Sequence, residues 1–365
     1  MNRSHVLTLT LRGDSQWVRD VSAEWQPLPV ERLLIGARVA EAEALVPAAL
    51  ALCRHAHCAA AHWALAAAQP GPLRAFNAPR DARVRLEAAR ETLRRWLIDL
   101  PGELGEHWAG GTLAQWPQLD SHAAIAAWCA DHVFGMQAAQ WLALDGRGQR
   151  AWAARRTRVP ARWLDTLLRD ADRACIATSA GVLHYVDRAG AALLAGAPGA
   201  PGMPFAAADA PPHADLWETP TWMPDLASGL LIARLQRLAY YCAHGDDAPP
   251  VSGGWRAGTL GVGWARGARG VLVHLARVED GAIVAWRIVP PTQWNFDAPT
   301  LLRQALAQRS WDDALRRAAR LALLLDPCVA HEIVVQRGAP RGVVQNTQSG
   351  TQSETQTGTG AQSHA

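Results

Sequence analysis

Met1 to Gly13 alternates polar and apolar residues and lacks the continuous apolar stretch of an export signal. Ala, Leu and Glu dominate from Val39 to Ala68, which predicts helix, and Pro47 predicts a kink or a new helix start inside it. Apolar positions recur at helical spacing from Arg80 to Ile98, and Pro101-Gly102 closes that run. Asp120-Ser121 opens a further helix through Trp128 to Leu144, with Asp145-Gly146 as its stop. Gly190 to Pro212, rich in Ala, Gly and Pro, reads as a loop. Leu226 to Ala243 reads as helix.

The strongest β signal follows. Val271–Val278 and Ala282–Val289 are β-rich runs joined by Glu279-Asp280-Gly281, a hairpin signature. From Ser310, the residues Trp311, Ala314, Leu315, Ala318, Ala322 and Leu325 share one helix face and lead into Asp326-Pro327-Cys328. The pattern predicts an α+β fold, predominantly helical, with small antiparallel β-hairpin elements. It is expected to form one large domain over 1–343, with the loop near 190–212, and a disordered polar tail over 344–365.

Composition narrows the function classes. Hydrophobic residues make up 49% of the 365, enough for a packed core, and no run is long enough to span a membrane. With 36 basic and 33 acidic residues the net charge is only +3, which argues against nucleic acid as a partner. Every basic residue is Arg. Seventeen Trp supply packing and, in part, a partner surface. Six Cys are too few for a disulfide scaffold of this size, and a leaderless chain is expected in the reducing cytoplasm. Gly261-Val262-Gly263 does not complete a dinucleotide fingerprint and precedes a strand.

Cys129, Cys175 and Cys242 stand alone among apolar residues and read as packing residues. Cys53 and Cys58 instead lie among His55, His57 and His62. On a regular helix His55, Cys58 and His62 share one stripe, whereas Cys53 and His57 point elsewhere. Thiolate and imidazole together suit a first-row transition metal such as zinc, nickel or iron. The plainer reading is a buried thiol among hydrogen-bonded histidines. Cys328 sits just past a helix end that Pro327 enforces. His331 follows at a chelate spacing if the next turn is helical, and otherwise serves only the helix terminus.

These residues resemble the large subunit of nickel-iron hydrogenases, which carries an N-terminal CxxCxxxH element and a C-terminal DPCxxCxxH element. Cys58-Ala59-Ala60-Ala61-His62 matches the second half of the first, and Asp326-Pro327-Cys328 matches the start of the last. Arg269-Gly270-Val271-Leu272-Val273-His274 looks like the family's RGxLxH strand, and Pro290-Pro291-Thr292-Gln293-Trp294-Asn295 like its PTxWN turn. Glu218-Thr219 is similar to another short element. The likeness runs from about residue 34 to 331, sparsely in the middle.

The departures define what the resemblance implies. In one register His55 replaces the first cysteine of CxxC; in the other Cys53 fills it and Ala56 replaces the second. The first keeps His62 and is preferred, and both stay open. His331 replaces the second C-terminal cysteine, Val334 the later histidine, and the maturation cleavage site is lost. A bimetallic centre held by four thiolates is therefore not expected, and nickel is unlikely. Such a chain looks like the HupK/HoxV-type hydrogenase maturation accessory proteins. That resemblance implies a scaffold that transiently carries iron with cyanide and carbon monoxide ligands, its partners being the hydrogenase large-subunit precursor and other maturation proteins. Cys58, Cys328, His62, His331, His55 and Cys53 are the candidate metal ligands; of the candidate cofactor-binding residues, Arg269 matches a family arginine beside the diatomic ligands and His274 is either a site-wall residue or a core residue inside the hairpin. The alternatives are a catalytic large subunit of unusual ligation, or a metal-free structural paralogue that binds hydrogenase subunits.

Overall fold

The computed structural model describes residues 6–26, 29–73, 78–109, 112–171, 225–245, 248, 250–296, 302–338 and 342–345. The predicted loop near 190–212, Cys175, Glu218-Thr219 and the tail from 346 lie outside the described residues. The described part is α+β and predominantly helical, as the pattern predicts.

The N-terminal alternation forms β1 (Leu7–Gly13), paired antiparallel with β2 (Trp17–Glu24). Helices α1 (Val39–Ala49), α2 (Arg54–Ala68) and α3 (Ala78–Ile98) follow, then the short α4 (Leu100–Leu104). Pro47 lies within α1, and the break predicted at Pro47 comes instead after Ala49, where Cys53 takes a left-handed conformation (φ 55°). Pro101-Gly102, read as a terminator, falls inside α4, and Gly105 (φ 70°) is the residue that ends it.

The helix predicted from Asp120 to Leu144 is split. Ser121 caps α5 (His122–Cys129) by accepting from the Ala124 N–H. A π-turn then runs to Gly135 (φ 69°), and α6 (Ala138–Leu142) starts anew. Asp145 is not a stop. Its carboxylate accepts from the Gly148 N–H at 2.7 Å and so begins α7 (Gly146–Ala154), which α8 (Val159–Arg169) follows.

Beyond α9 (Leu226–His244), strands β3 (Ser252–Ala257), β4 (Leu260–Gly267), β5 (Gly270–Glu279) and β6 (Ala282–Val289) form an antiparallel meander. Asp280 and Gly281 both have positive φ, the geometry of a two-residue hairpin turn that matches strand twist. The chain continues through α10 (Pro291–Asn295), α11 (Arg303–Leu306), β7 (Arg309–Ser310), α12 (Trp311–Leu325), β8 (His331–Arg337) and β9 (Gly342–Gln345). A second sheet of order β7-β2-β1-β8-β9 is larger than the hairpins expected. Its parallel β1–β8 pair joins the two ends of the described chain, with Leu7 opposite His331. Val344 and Gln345, placed in the tail by composition, pair with Val334 and Ile333 in that sheet.

The Ala-rich run has a packing cause. Ala56, Ala59, Ala60, Ala64 and Ala67 are buried on the face of α2 that lies on the meander. A Cβ on Gly261 would sit 2.0 Å from the Ala64 carbonyl oxygen, and one on Gly263 2.0 Å from that of Ala60. The glycines of Gly261-Val262-Gly263 thus lie within a strand and let helix and sheet backbones touch. Small residues on both partners set α2 at the depth where its first turn meets the α12 terminus.

Candidate metal-cargo site

Four segments with no sequence proximity converge at the N-terminus of α2. The second and third N–H groups of α2 are satisfied by a side chain from α3: the Glu87 carboxylate accepts from His55 at 2.8 Å and Ala56 at 3.1 Å. This fixes the strap Leu50–Cys53 that delivers Cys53.

Arg269 lies in the tight turn between β4 and β5 and is 2% exposed. Its Nη1 donates to Cys53 Sγ at 3.0 Å, its Nη2 to Glu91 at 2.5 Å, and its Nε is 3.4 Å from Asp326. Asp326 ends α12 in a left-handed conformation (φ 53°) and is fully buried. It is paired at 2.5 Å with Arg95 and at 3.6 Å with Arg234, and Arg95 also donates to the Pro327 carbonyl. Burial alone would raise the Asp326 carboxyl; Arg269, Arg234 and Arg95 together hold it below its ordinary range. The Asp-Pro-Cys turn is therefore pinned by charge on its helix side.

On its other side it is pinned by the α10 turn. The Thr292 hydroxyl accepts from the Cys328 N–H at 3.2 Å and lies 3.0 Å from Cys328 Sγ. Asn295, with no exposed surface, donates to the carbonyls of Arg269 at 3.0 Å and Leu325 at 3.3 Å. One amide thus ties the arginine turn to the helix end that carries Cys328.

The result is a cavity of about 250 Å³, lined by Cys53, His57, Arg269 and Cys328 among mostly apolar walls that include Trp25, Leu272, Ile288 and Pro290. Burial pushes the Cys53 thiol up to about 12 against the opposing pull of Arg269, so the thiol is neutral. His57 Nδ1 lies 2.9 Å from Nε2 of the fully buried His274. Burial lowers His57 to about 3 and His274 well below the ordinary imidazole value, so both rings are neutral.

The other candidate ligands are placed elsewhere. Cys58 is half-buried on a different face of α2, near Arg54, Arg80 and Glu43. His62 pairs with Glu43 of α1 at 2.8 Å. His55 lines a neighbouring cavity of about 320 Å³ beside Glu87 and Glu91, with Cys53 in the wall common to both. His331 opens β8, so the helical turn that would let it chelate with Cys328 is not formed. Among the described residues no group of three or more His, Cys, Asp or Glu side chains is placed to hold a metal ion. Two thiols on one cavity are fewer than the four protein donors that a bare tetrahedral ion takes.

Cys53 and Cys328 line one cavity, and Cys58 is not among its lining residues. Glu91 carries no assignment from the sequence, Thr292 and Asn295 enter it only within the PTxWN-like turn, and His57, expected to point elsewhere, lines the cavity. Glu87 and Glu91 do carry a signal, since their four-residue spacing puts both carboxylates on one face of α3.

No protein-family model matches the chain. The "Hydrogenase expression/formation protein HupK" of Azotobacter vinelandii is 45% identical over 92 residues, 24% of this chain and 26% of that protein. The first such relatives are therefore matched over only about a quarter of their length. The "Hydrogenase expression/formation protein HoxV" of Cupriavidus necator aligns over 91% of this chain and 97% of its own length at 29% identity. Among solved structures, the NAD+-reducing [NiFe]-hydrogenase in the H2-reduced state aligns over 86% of this chain and 92% of that chain, at 13% identity and a TM-score of 0.45. Among the described residues no helix is long and apolar enough to cross a membrane. The chain is thus similar to the HupK and HoxV hydrogenase expression/formation proteins over these spans.

Proposed function

We propose that the protein is a hydrogenase maturation scaffold that holds an iron centre bearing cyanide and carbon monoxide, and passes it to the large-subunit precursor of a nickel-iron hydrogenase. The observation that carries this reading is the convergence of Cys53, Cys328 and Arg269 on one cavity of about 250 Å³. Iron with strong-field ligands needs few protein donors, and two thiolates release their cargo more readily than four. Apolar walls exclude water from the carbonyl and cyanide ends. Arg269 is positioned to support both the thiolate of Cys53 and an anionic ligand of the iron. Binding would displace the Cys53 proton, so capture is coupled to proton release. Similarity to hydrogenase expression/formation proteins supports a role in hydrogenase formation.

The test is complementation of a strain lacking this protein. Cys53→Ala and Cys328→Ala are each expected to abolish maturation of the hydrogenase. If both variants restore it fully, the metal-free paralogue is the better reading. A catalytic large subunit is favoured only if purified protein holds nickel with iron and turns over hydrogen.

A further inference from the structure

We infer that His57 is a hydrogen-bond donor to an anionic ligand in the cavity, and that buried His274 is the positioning residue that gives it that polarity. The inference rests on the proposed role of the cavity, and concerns two residues that bind no metal in that proposal.

Two neutral imidazoles that meet through His57 Nδ1 and His274 Nε2 at 2.9 Å share one proton. If His57 donates, His274 must carry its own proton on Nδ1. That nitrogen is fully buried and has no hydrogen-bond partner among the described residues, so an N–H would be stranded there. If His274 donates, only a lone pair is left on Nδ1. The ring beside it is Trp286, at 5.4 Å in edge-to-face contact. A buried acceptor without a partner is tolerated more readily than a buried N–H without one, so the second arrangement is the cheaper.

The second arrangement fixes the rest. His57 Nδ1 then accepts, its proton sits on Nε2, and Nε2 is the nitrogen left for the cavity that His57 lines. The cavity wall thus carries a neutral N–H donor beside the Arg269 guanidinium. This pairing suits a small linear anion with a terminal nitrogen acceptor. It cannot serve a cationic ligand. Cross-strand geometry holds His274 in place: it lies opposite Gly263 and Ile288 in the meander, and Gly263 is where α2 touches the sheet.

Metal-free full-length protein labelled with 15N tests this, with sodium azide as the probe. Long-range proton–nitrogen correlation is expected to show His57 protonated on Nε2 and bare on Nδ1, and azide is expected to shift the Nε2 signal. His57→Phe should weaken azide binding about tenfold, the effect of losing one hydrogen bond to a charged acceptor. His274→Phe should leave His57 as a mixture of tautomers, with a smaller loss. A His57 proton on Nδ1, no azide binding by the wild type, or equal binding by folded His57→Phe would overturn the inference. Should a variant unfold, the wild-type tautomer and the azide-induced shift decide the matter. Because no iron is used, the inference can fail while Cys53 and Cys328 still capture the cargo, and the reverse is equally readable.

Discussion

Arg269 donates to the sulfur of Cys53 across 3.0 Å, joining residues 216 positions apart in the chain. The same guanidinium is held by Glu91 and Asp326, so the thiol faces a cation that cannot swing away. Burial nevertheless dominates, and the Cys53 thiol stays protonated near neutrality.

Alkylation of Cys53 should therefore climb steadily from pH 7 to pH 10 without a plateau, because only the thiolate reacts and the thiol titrates at about 12. Arg269→Gln removes the opposing pull and should slow alkylation of Cys53 at every pH. Peptide mapping after iodoacetamide treatment reads both effects. A plateau near pH 8 would show that the arginine outweighs burial.

Asp326→Asn should destabilise the fold by about 3 kcal/mol, since it removes the counter-charge of buried Arg234 and one of the two carboxylates that hold Arg269 and Arg95. The carboxyl titrates below its ordinary 3.8 in the folded chain. Its contribution is thus complete above the unfolded value and fades as pH falls through the folded one. Urea titrations should show the wild type losing this advantage below about pH 4, with the variant flatter over that range.

Gly263→Ala places a methyl group against the Ala60 carbonyl and forces α2 off the sheet. A loss of about 3 kcal/mol is expected, the upper end for an overpacked core, measurable by denaturant midpoint. The His57–His274 contact should weaken with it, visible as a change in the His57 nitrogen shifts.

Much of this architecture was readable in the chain, and the misreadings have local causes. The hairpin around Asp280-Gly281 and the helix ending at Asp326 follow from turn chemistry and a single apolar stripe. The helix through Leu144 was overextended because Gly135 breaks it without proline, and Asp145 serves equally well as a stop or as a cap. Cys53 and Cys328 were both visible as candidates, but helix periodicity favoured the stripe of His55, Cys58 and His62. That stripe does not reach the cavity. The positive φ of Cys53 and the Glu87 cap turn a different face inward, and neither is written in local spacing. Thr292 and Asn295 lay within a motif already noticed, yet their partners are 36 and 30 residues away.

Cys58→Ala and His62→Ala should leave both cargo binding and maturation intact. The ion pair of His62 with half-exposed Glu43 is worth at most about 1 kcal/mol. Complementation with each variant checks this. Loss of maturation with Cys58→Ala alone would move the site to the other face of α2.

Infrared spectroscopy of the protein isolated with its maturation partners tests the two-thiol cavity most directly. Bands from iron-bound cyanide and carbon monoxide are expected in the wild type, and their loss in a folded Cys53→Ser, Cys328→Ser double variant. Wild-type protein without these bands, or bands that survive the double substitution, would contradict the account.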